Sequence, residues 1–118
     1  MKVLIVDDSA TMRRILKTQL ASLGASPILE AQNGEEGITM LAEHMPVDIV
    51  TLDVNMPVMD GMSALRAIRS NAAYANVKVV MVTSESEKER VVEAVAAGAT
   101  NYVVKPFTPE TLKAKLGL

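Results

Sequence analysis

Short runs of β-branched and aliphatic residues alternate with segments whose apolar residues recur every three or four positions, and the alternation repeats five times along the chain. Strands separated by helices return to the same sheet edge through crossovers, so they pair in parallel. The expected strands are Lys2–Val6, Pro27–Ala31, Val47–Leu52, Val77–Val82 and Asn101–Val104. Val3–Val6 is apolar throughout, and Val47–Leu52 is broken only by Asp48 and Thr51. Strands covered by helices on both faces read this way. Pro27–Ala31 is weaker and belongs nearer an edge. Right-handed crossovers leave few topologies, chiefly a doubly wound α/β sheet, here (βα)5 with the expected strand order 2-1-3-4-5.

The helical segments fit that frame. Met12, Ile15, Leu16, Leu20 and Leu23 share one face of the first helix, and Gly24 stands where a helix end takes a left-handed residue. Asn33 with Glu36, and Ser86 with Glu89, resemble capping boxes that open the second and fourth helices. Met45-Pro46 closes the second helix. On the third, Met62, Leu65 and Ile68 face inward while Arg66 and Arg69 face out. The fourth is expected from about Glu87 to Ala97, closed by Gly98. Thr108-Pro109 supplies a cap and a first-turn proline for the last.

Four of the five expected strands run into a polar residue: Asp7 and Asp8, Asp53, Thr83, and Lys105. These ends lie along one edge, where ligands bind in open parallel sheets. Taken singly, each residue has an ordinary explanation. Asp8 or Ser9 could cap a helix, Asp53 could turn the chain, Thr83 is a strand former, and Lys105 could be a solvated charge. Taken together they break apolar strands at the same end, which stability alone does not favour. Three neighbouring carboxylates repel one another and desolvate, which raises some of their pKa values. A hard cation such as Mg2+, with its preference for oxygen ligands, resolves the conflict. The hydroxyl and the ammonium suit a phosphoryl group. His44, the only histidine, reads as a surface residue, and Met12, Met40, Met59, Met62 and Met81 read as core filler. The Glu85–Arg90 charges read as the solvated first turn of a helix.

Composition narrows the partners. The chain has 118 residues, 49% hydrophobic and 22% charged, which suits one globular domain spanning 1–118. A net charge of −2 argues against nucleic acid and against a polybasic membrane anchor. The apolar runs are of strand length, too short for the ~30 Å hydrocarbon core of a bilayer. The absence of cysteine removes disulfides and thiol chemistry. No signal-peptide pattern is visible at the first residues, and the expectation is a cytoplasmic monomer.

Asp7-Asp8, the segment Leu52-Asp53-Val54-Asn55-Met56-Pro57 with Asp60-Gly61, Thr83-Ser84 and Lys105-Pro106-Phe107 resemble the receiver domain of bacterial two-component response regulators. The resemblance covers the whole chain with every motif in order, and within the family it is strongest to the stand-alone chemotaxis regulators. It implies a flavodoxin-like fold, whose strand order the chemotaxis regulators share. Asp53 would be the phosphoacceptor, taking its phosphoryl group from a histidine kinase or a small acyl phosphate. Mg2+ would be held by Asp8 and Asp53, by Asp7 directly or through water, and by the Asn55 carbonyl. Lys105 and Thr83 would complete the phosphoryl cradle, and the Lys105-Pro106 bond resembles the family's cis peptide. Thr83 and Tyr102 would switch the face formed by helix 4, strand 5 and helix 5, read by an output protein such as a flagellar motor switch component. Asn55 and Glu85 would tune dephosphorylation, alone or with a phosphatase. Ser84 replaces the commoner alanine, and Val54 stands where some members carry tryptophan.

Other readings remain open at this stage. The segment Thr51-Leu52-Asp53-Val54 is of the kind carried by the receiver of a chemotaxis methylesterase, so a receiver excised from that or from a DNA-binding regulator is one. A Mg2+-dependent phosphohydrolase with an aspartyl-phosphate intermediate is another, although Ser9 stands two residues after Asp7, where the dehalogenase type needs a second aspartate. A flavin-binding domain is disfavoured by Asp7 and Asp8, which would repel the phosphate, and by 3% aromatic content.

Overall fold

The computed structural model describes residues 1–118. Five strands, β1 (Val3–Val6), β2 (Ile28–Ala31), β3 (Ile49–Asp53), β4 (Lys78–Thr83) and β5 (Asn101–Val104), form one sheet. Between and after them lie α1 (Ala10–Ser22), α2 (Gly34–His44), α3 (Gly61–Arg69), α4 (Arg90–Ala96) and α5 (Pro109–Leu116). The strand order is β2-β1-β3-β4-β5 with every pair parallel, the expected doubly wound sheet in the order that the family resemblance implies. Short 3-10 turns occupy Ala72–Tyr74 and Glu85–Glu87. No helix is long and apolar enough to cross a membrane.

The doubly apolar strands sort their side chains by parity into two cores. Leu4, Val6, Val50, Leu52, Val79 and Met81 pack with Leu41, Met62, Leu65, Ile68 and Ala94 of α2, α3 and α4. Val3, Ile5, Ile49, Val80, Val82 and Val103 pack with Leu16 and Leu20 of α1 and Leu112 and Leu116 of α5. The sheet is thereby fixed from both faces, which holds its strand ends still.

Most helix ends follow the sequence. The Asn33 side chain accepts from the Glu36 N–H at 2.8 Å, and Thr108 accepts from the Thr111 N–H at 3.2 Å with Pro109 in the first turn. Gly24 and Gly98 adopt φ of +92° and +105°, conformations that favour glycine. The Lys105–Pro106 peptide is cis, like Ser26–Pro27 and Met45–Pro46.

Three expectations need correction. Ile15 is 41% exposed, because it sits about 100° around the helix from Leu16 and falls beyond the strip that α1 lays on the sheet. The capping box after β4 is Ser84 with Glu87, not Ser86 with Glu89: Ser84 Oγ donates to Glu87 Oε1 at 2.8 Å and the Ser84 N–H reaches the same oxygen at 3.4 Å. The sequence Ser84-Glu85-Ser86-Glu87-Lys88-Glu89 offers two overlapping boxes, and the first to leave the sheet is the one used, so the chain makes a 3-10 turn and α4 begins only at Arg90. Arg69 does not point freely outward. Its Nε donates to the Gly98 carbonyl at 2.8 Å and its Nη1 to the Tyr74 carbonyl at 3.1 Å, tying the end of α3 to the turn before β5.

Candidate functional site

β1 delivers Asp7 to the carboxyl end of the sheet with nearly all of its polar atoms occupied. Its N–H donates to the Ala31 carbonyl at 3.1 Å, its carbonyl accepts from Arg13 Nη1 at 2.8 Å, and its Oδ1 accepts from the Ser9 N–H at 2.8 Å. Oδ2 is buried and has no hydrogen-bond partner in the protein. The Asp8 side chain, next along the chain, is exposed. Asp53 closes β3 in a buried position. Carboxylate oxygens of Asp7, Asp8 and Asp53 lie within 4.8 Å of one another.

Lys105 brings the one cation to this group. Its N–H donates to the Thr83 carbonyl at 2.7 Å, which continues the β4–β5 ladder and sets the side chain over the acidic residues. Nζ donates to Asp53 Oδ1 at 3.1 Å and stands 3.9 Å from Asp7 Oδ2. One ammonium therefore stands against two of the three carboxylates. Burial pushes the Asp53 carboxyl up to about 6, with the Asp7 charge pushing the same way and Lys105 pulling against them. Burial also raises the Asp7 carboxyl, opposed by the Ser9 N–H and Lys105. An all-oxygen donor set with a buried unpartnered oxygen and an exposed neighbour fits a hard divalent cation.

The remaining expected residues stand around this centre. Thr83 is fully buried at the end of β4, and its hydroxyl donates to the Ser84 carbonyl at 3.2 Å rather than to a carboxylate. Asn55 is exposed two positions beyond Asp53, and its carbonyl accepts no hydrogen bond within the protein. Glu85 is exposed in the turn after β4. Tyr102 pairs in register with Met81, half-buried against the larger core, with Lys115 Nζ 4.7 Å above its ring. Asp7, Asp8, Asp53 and Lys105 are thus gathered, while Thr83 and Glu85 lie at and just beyond the end of β4 and Tyr102 lies on the neighbouring β5.

Sequence reasoning overlooked two supports. At Gly61 an added Cβ would collide with the Asp53 carbonyl oxygen, so only glycine lets α3 pack on the backbone that carries Asp53. The Gly61 N–H also donates to the Val54 carbonyl at 2.9 Å. The Asp60-Gly61 pair was a visible signal, but its packing role was not. The second is Arg13, which no sequence pattern singles out and whose Nη1 donates to the Asp7 carbonyl. The largest cavity, about 640 Å³, lies at the opposite edge of the sheet beside Met45, Asp48 and Lys78, away from this chemistry.

Comparison with known proteins agrees with this geometry. The response regulator receiver domain matches residues 3–117. A chemotaxis protein CheY homolog of Campylobacter jejuni is 45% identical over 98% of this chain and 89% of its own length. Chemotaxis protein CheY1 of Helicobacter pylori is 43% identical over 98% of this chain and 94% of its own. The structure of Vibrio cholerae chemotaxis protein CheY4 superposes with a TM-score of 0.88 at 37% identity, covering 98% of this chain and 95% of that one. This chain belongs to the response regulator receiver family, and the relatives it matches are chemotaxis regulators of two-component signalling.

Proposed function

We propose that the chain is a phosphorylation switch in which Asp53 accepts a phosphoryl group from a phosphohistidine of a partner kinase. The observation that carries this reading is the 3.1 Å contact of Lys105 Nζ with Asp53 Oδ1 inside a cluster of carboxylates lying within 4.8 Å of one another. A carboxylate oxygen of Asp53 attacks phosphorus, the P–N bond of the donor breaks, and its electron pair stays on the imidazole, which takes up a proton. Mg2+, held by Asp7, Asp8, Asp53 and the Asn55 carbonyl, would supply positive charge to the phosphoryl oxygens in flight. Lys105 needs only a small swing to pass from the Asp53 oxygen to a phosphoryl oxygen. The same contacts serve a small acyl phosphate as donor.

The output follows from Thr83. Its hydroxyl spends its hydrogen bond on a neutral backbone carbonyl, and a phosphoryl oxygen is a stronger, charged acceptor. Turning toward it vacates space that Tyr102 fills from its half-buried position, and the surface of α4, β5 and α5 changes. That surface carries exposed Val92 and Val95 on α4 and the Lys115–Tyr102 pair of α5 and β5, apolar and aromatic groups suited to an output protein. By likeness to chemotaxis regulators, a flagellar motor switch component is the proposed reader. Asn55 and Glu85 flank the path by which water reaches the phosphoryl group, and so tune the lifetime of the signal. The chain acts as a signalling domain of residues 1–118 that turns over only its own phosphoryl group.

Acetyl phosphate with Mg2+ tests the assignment. Mass spectrometry should show one added phosphoryl group, labile to hydroxylamine as acyl phosphates are, and Asp53→Asn should not acquire it while keeping its circular dichroism spectrum. An acid-stable phosphate on another residue, or full labelling of Asp53→Asn, overturns the reading.

A further inference from the structure

Arg13 occupies an unusual place for a helix arginine. Its side chain is only 14% exposed, its Nη1 donates to the Asp7 carbonyl at 2.8 Å, and its Nε donates to Glu30 Oε1 at 3.2 Å. Glu30 lies on β2, where it pairs in register with Ile5 of β1, and its second oxygen faces Lys17 Nζ at 3.7 Å. The guanidinium therefore bridges two adjacent strands and α1. With the Asp7 N–H on Ala31 and Oδ1 on the Ser9 N–H, this contact leaves a single polar atom of Asp7 uncommitted. That atom is Oδ2, which faces Lys105 and the acidic centre.

We propose that Arg13 is a positioning residue of the acidic centre: braced by Glu30, it clamps the Asp7 carbonyl and thereby fixes the direction in which the Asp7 and Asp8 carboxylates leave β1. A planar fork suits this role better than an ammonium, because two donors at fixed angles hold two acceptors at once. Glu30 also offsets the guanidinium charge, so that the clamp does not cancel the negative potential that a cation needs. The inference rests on the proposed Mg2+ site.

Charge and geometry make opposite predictions, which lets one experiment decide. If Arg13 acted only as a nearby positive charge, its removal would tighten cation binding. If it positions Asp7 and Asp8, its removal weakens binding although a repelling charge has gone. We expect calorimetric titration of the full chain with Mg2+ to give affinities in the order wild type, Arg13→Lys, Arg13→Gln, with the Gln variant weakened about tenfold. The thermal melt in chelator shows whether each variant is folded before titration. Affinity of Arg13→Gln equal to or above that of wild type overturns the proposal. Should that variant not fold, Arg13→Lys decides, and a wild-type affinity in it overturns the proposal equally. A wild-type chain that takes up no Mg2+ brings down the metal reading itself, and this inference with it. Uptake by wild type with unchanged variants brings down the inference alone.

Discussion

The two edges of the sheet treat charge in opposite ways. At the amino end, Asp48 Oδ2 accepts from the Lys2 N–H at 2.8 Å, Lys2 Nζ donates to the His44 carbonyl at 2.6 Å, and Lys78 Nζ donates to the Leu116 carbonyl at 3.2 Å. Each charge there has found a partner and lies near solvent. At the carboxyl end, Asp7 and Asp53 are buried, both carboxyls are pushed up, Asp7 Oδ2 has no hydrogen bond, and Lys105 is the one cation within 4 Å of their carboxylate oxygens. Local rules hold at one edge and are broken at the other. Breaches of this kind concentrate where a protein works, because the missing partner is supplied from outside.

The largest effect should come from supplying that partner. Mg2+ binds the folded carboxylates and not the unfolded chain, so at a hundredfold excess over Kd it should stabilise by about 2.7 kcal/mol. In a domain of this size that raises Tm by on the order of 10 °C above the value in chelator. A thermal melt that does not move with millimolar Mg2+ removes the contrast between the edges.

Taking away the acidic charge should come next. Burial pushes the Asp53 carboxyl from its ordinary 3.8 up to about 6, so protonation favours the folded state. The stability this gives is fully present below pH 3.8 and is lost as pH rises through about 6. The raised Asp7 carboxyl acts with the same sign. Asp60, lowered by the Ser63 N–H, acts oppositely, and its contribution is lost only as pH falls below its ordinary 3.8. In chelator at neutral pH, Asp53→Asn should therefore be more stable than wild type by about 2 kcal/mol, after allowing for the lost ion pair with Lys105. The gap should close as pH falls toward 4. Urea titrations of both proteins across this range measure it, and a gap that is constant with pH refutes burial of the Asp53 charge as its source.

Much of this contrast was legible from the chain alone. Asp7, Asp53, Thr83 and Lys105 stood out because each ends an apolar strand, and the parallel sheet puts strand ends together whatever their separation in sequence. Handedness narrowed the topology to a doubly wound sheet, and the family resemblance supplied the particular strand order. What sequence hid were contacts that depend on packing across distant segments. Arg69 looked solvent-facing because Gly98, 29 residues away, is not visible from its own helix. Nothing in the sequence singled out Arg13, because Glu30 and the Asp7 carbonyl come to it only in the fold. Ser84 and Ser86 both satisfy a capping box, and only the end of β4 chooses between them.

At the amino edge the sign should reverse. Asp48→Ala removes the acceptor for the Lys2 N–H, an exposed bond, and should destabilise by at most about 1 kcal/mol. It should leave Mg2+ affinity unchanged, since the whole sheet separates it from the carboxylates. A gain in stability from this variant, comparable to that from Asp53→Asn, would show that both edges are frustrated alike.

Thr51 sharpens the comparison with an effect of the same small size. It lies in mid-sheet, fully buried, in register with Ile5 and Val80, and its hydroxyl has no hydrogen-bond partner in the protein. It shares with Asp7 the property of an orphaned oxygen, but it stands one strand repeat before Asp53, between Ile5 and Val80, rather than at the strand end. Valine matches its shape and omits the oxygen. Thr51→Val should stabilise the fold by about 1 kcal/mol, some 4 °C in Tm, because a desolvated hydroxyl without a bond is replaced by a methyl group that packs. Mg2+ affinity should stay at the wild-type value. A lower Tm would show that the hydroxyl is bonded in solution, and a shifted Mg2+ affinity would assign it to the acidic centre. Unchanged affinity with a higher Tm separates the two orphans: the Asp7 oxygen waits for a ligand, and the Thr51 oxygen is only a cost.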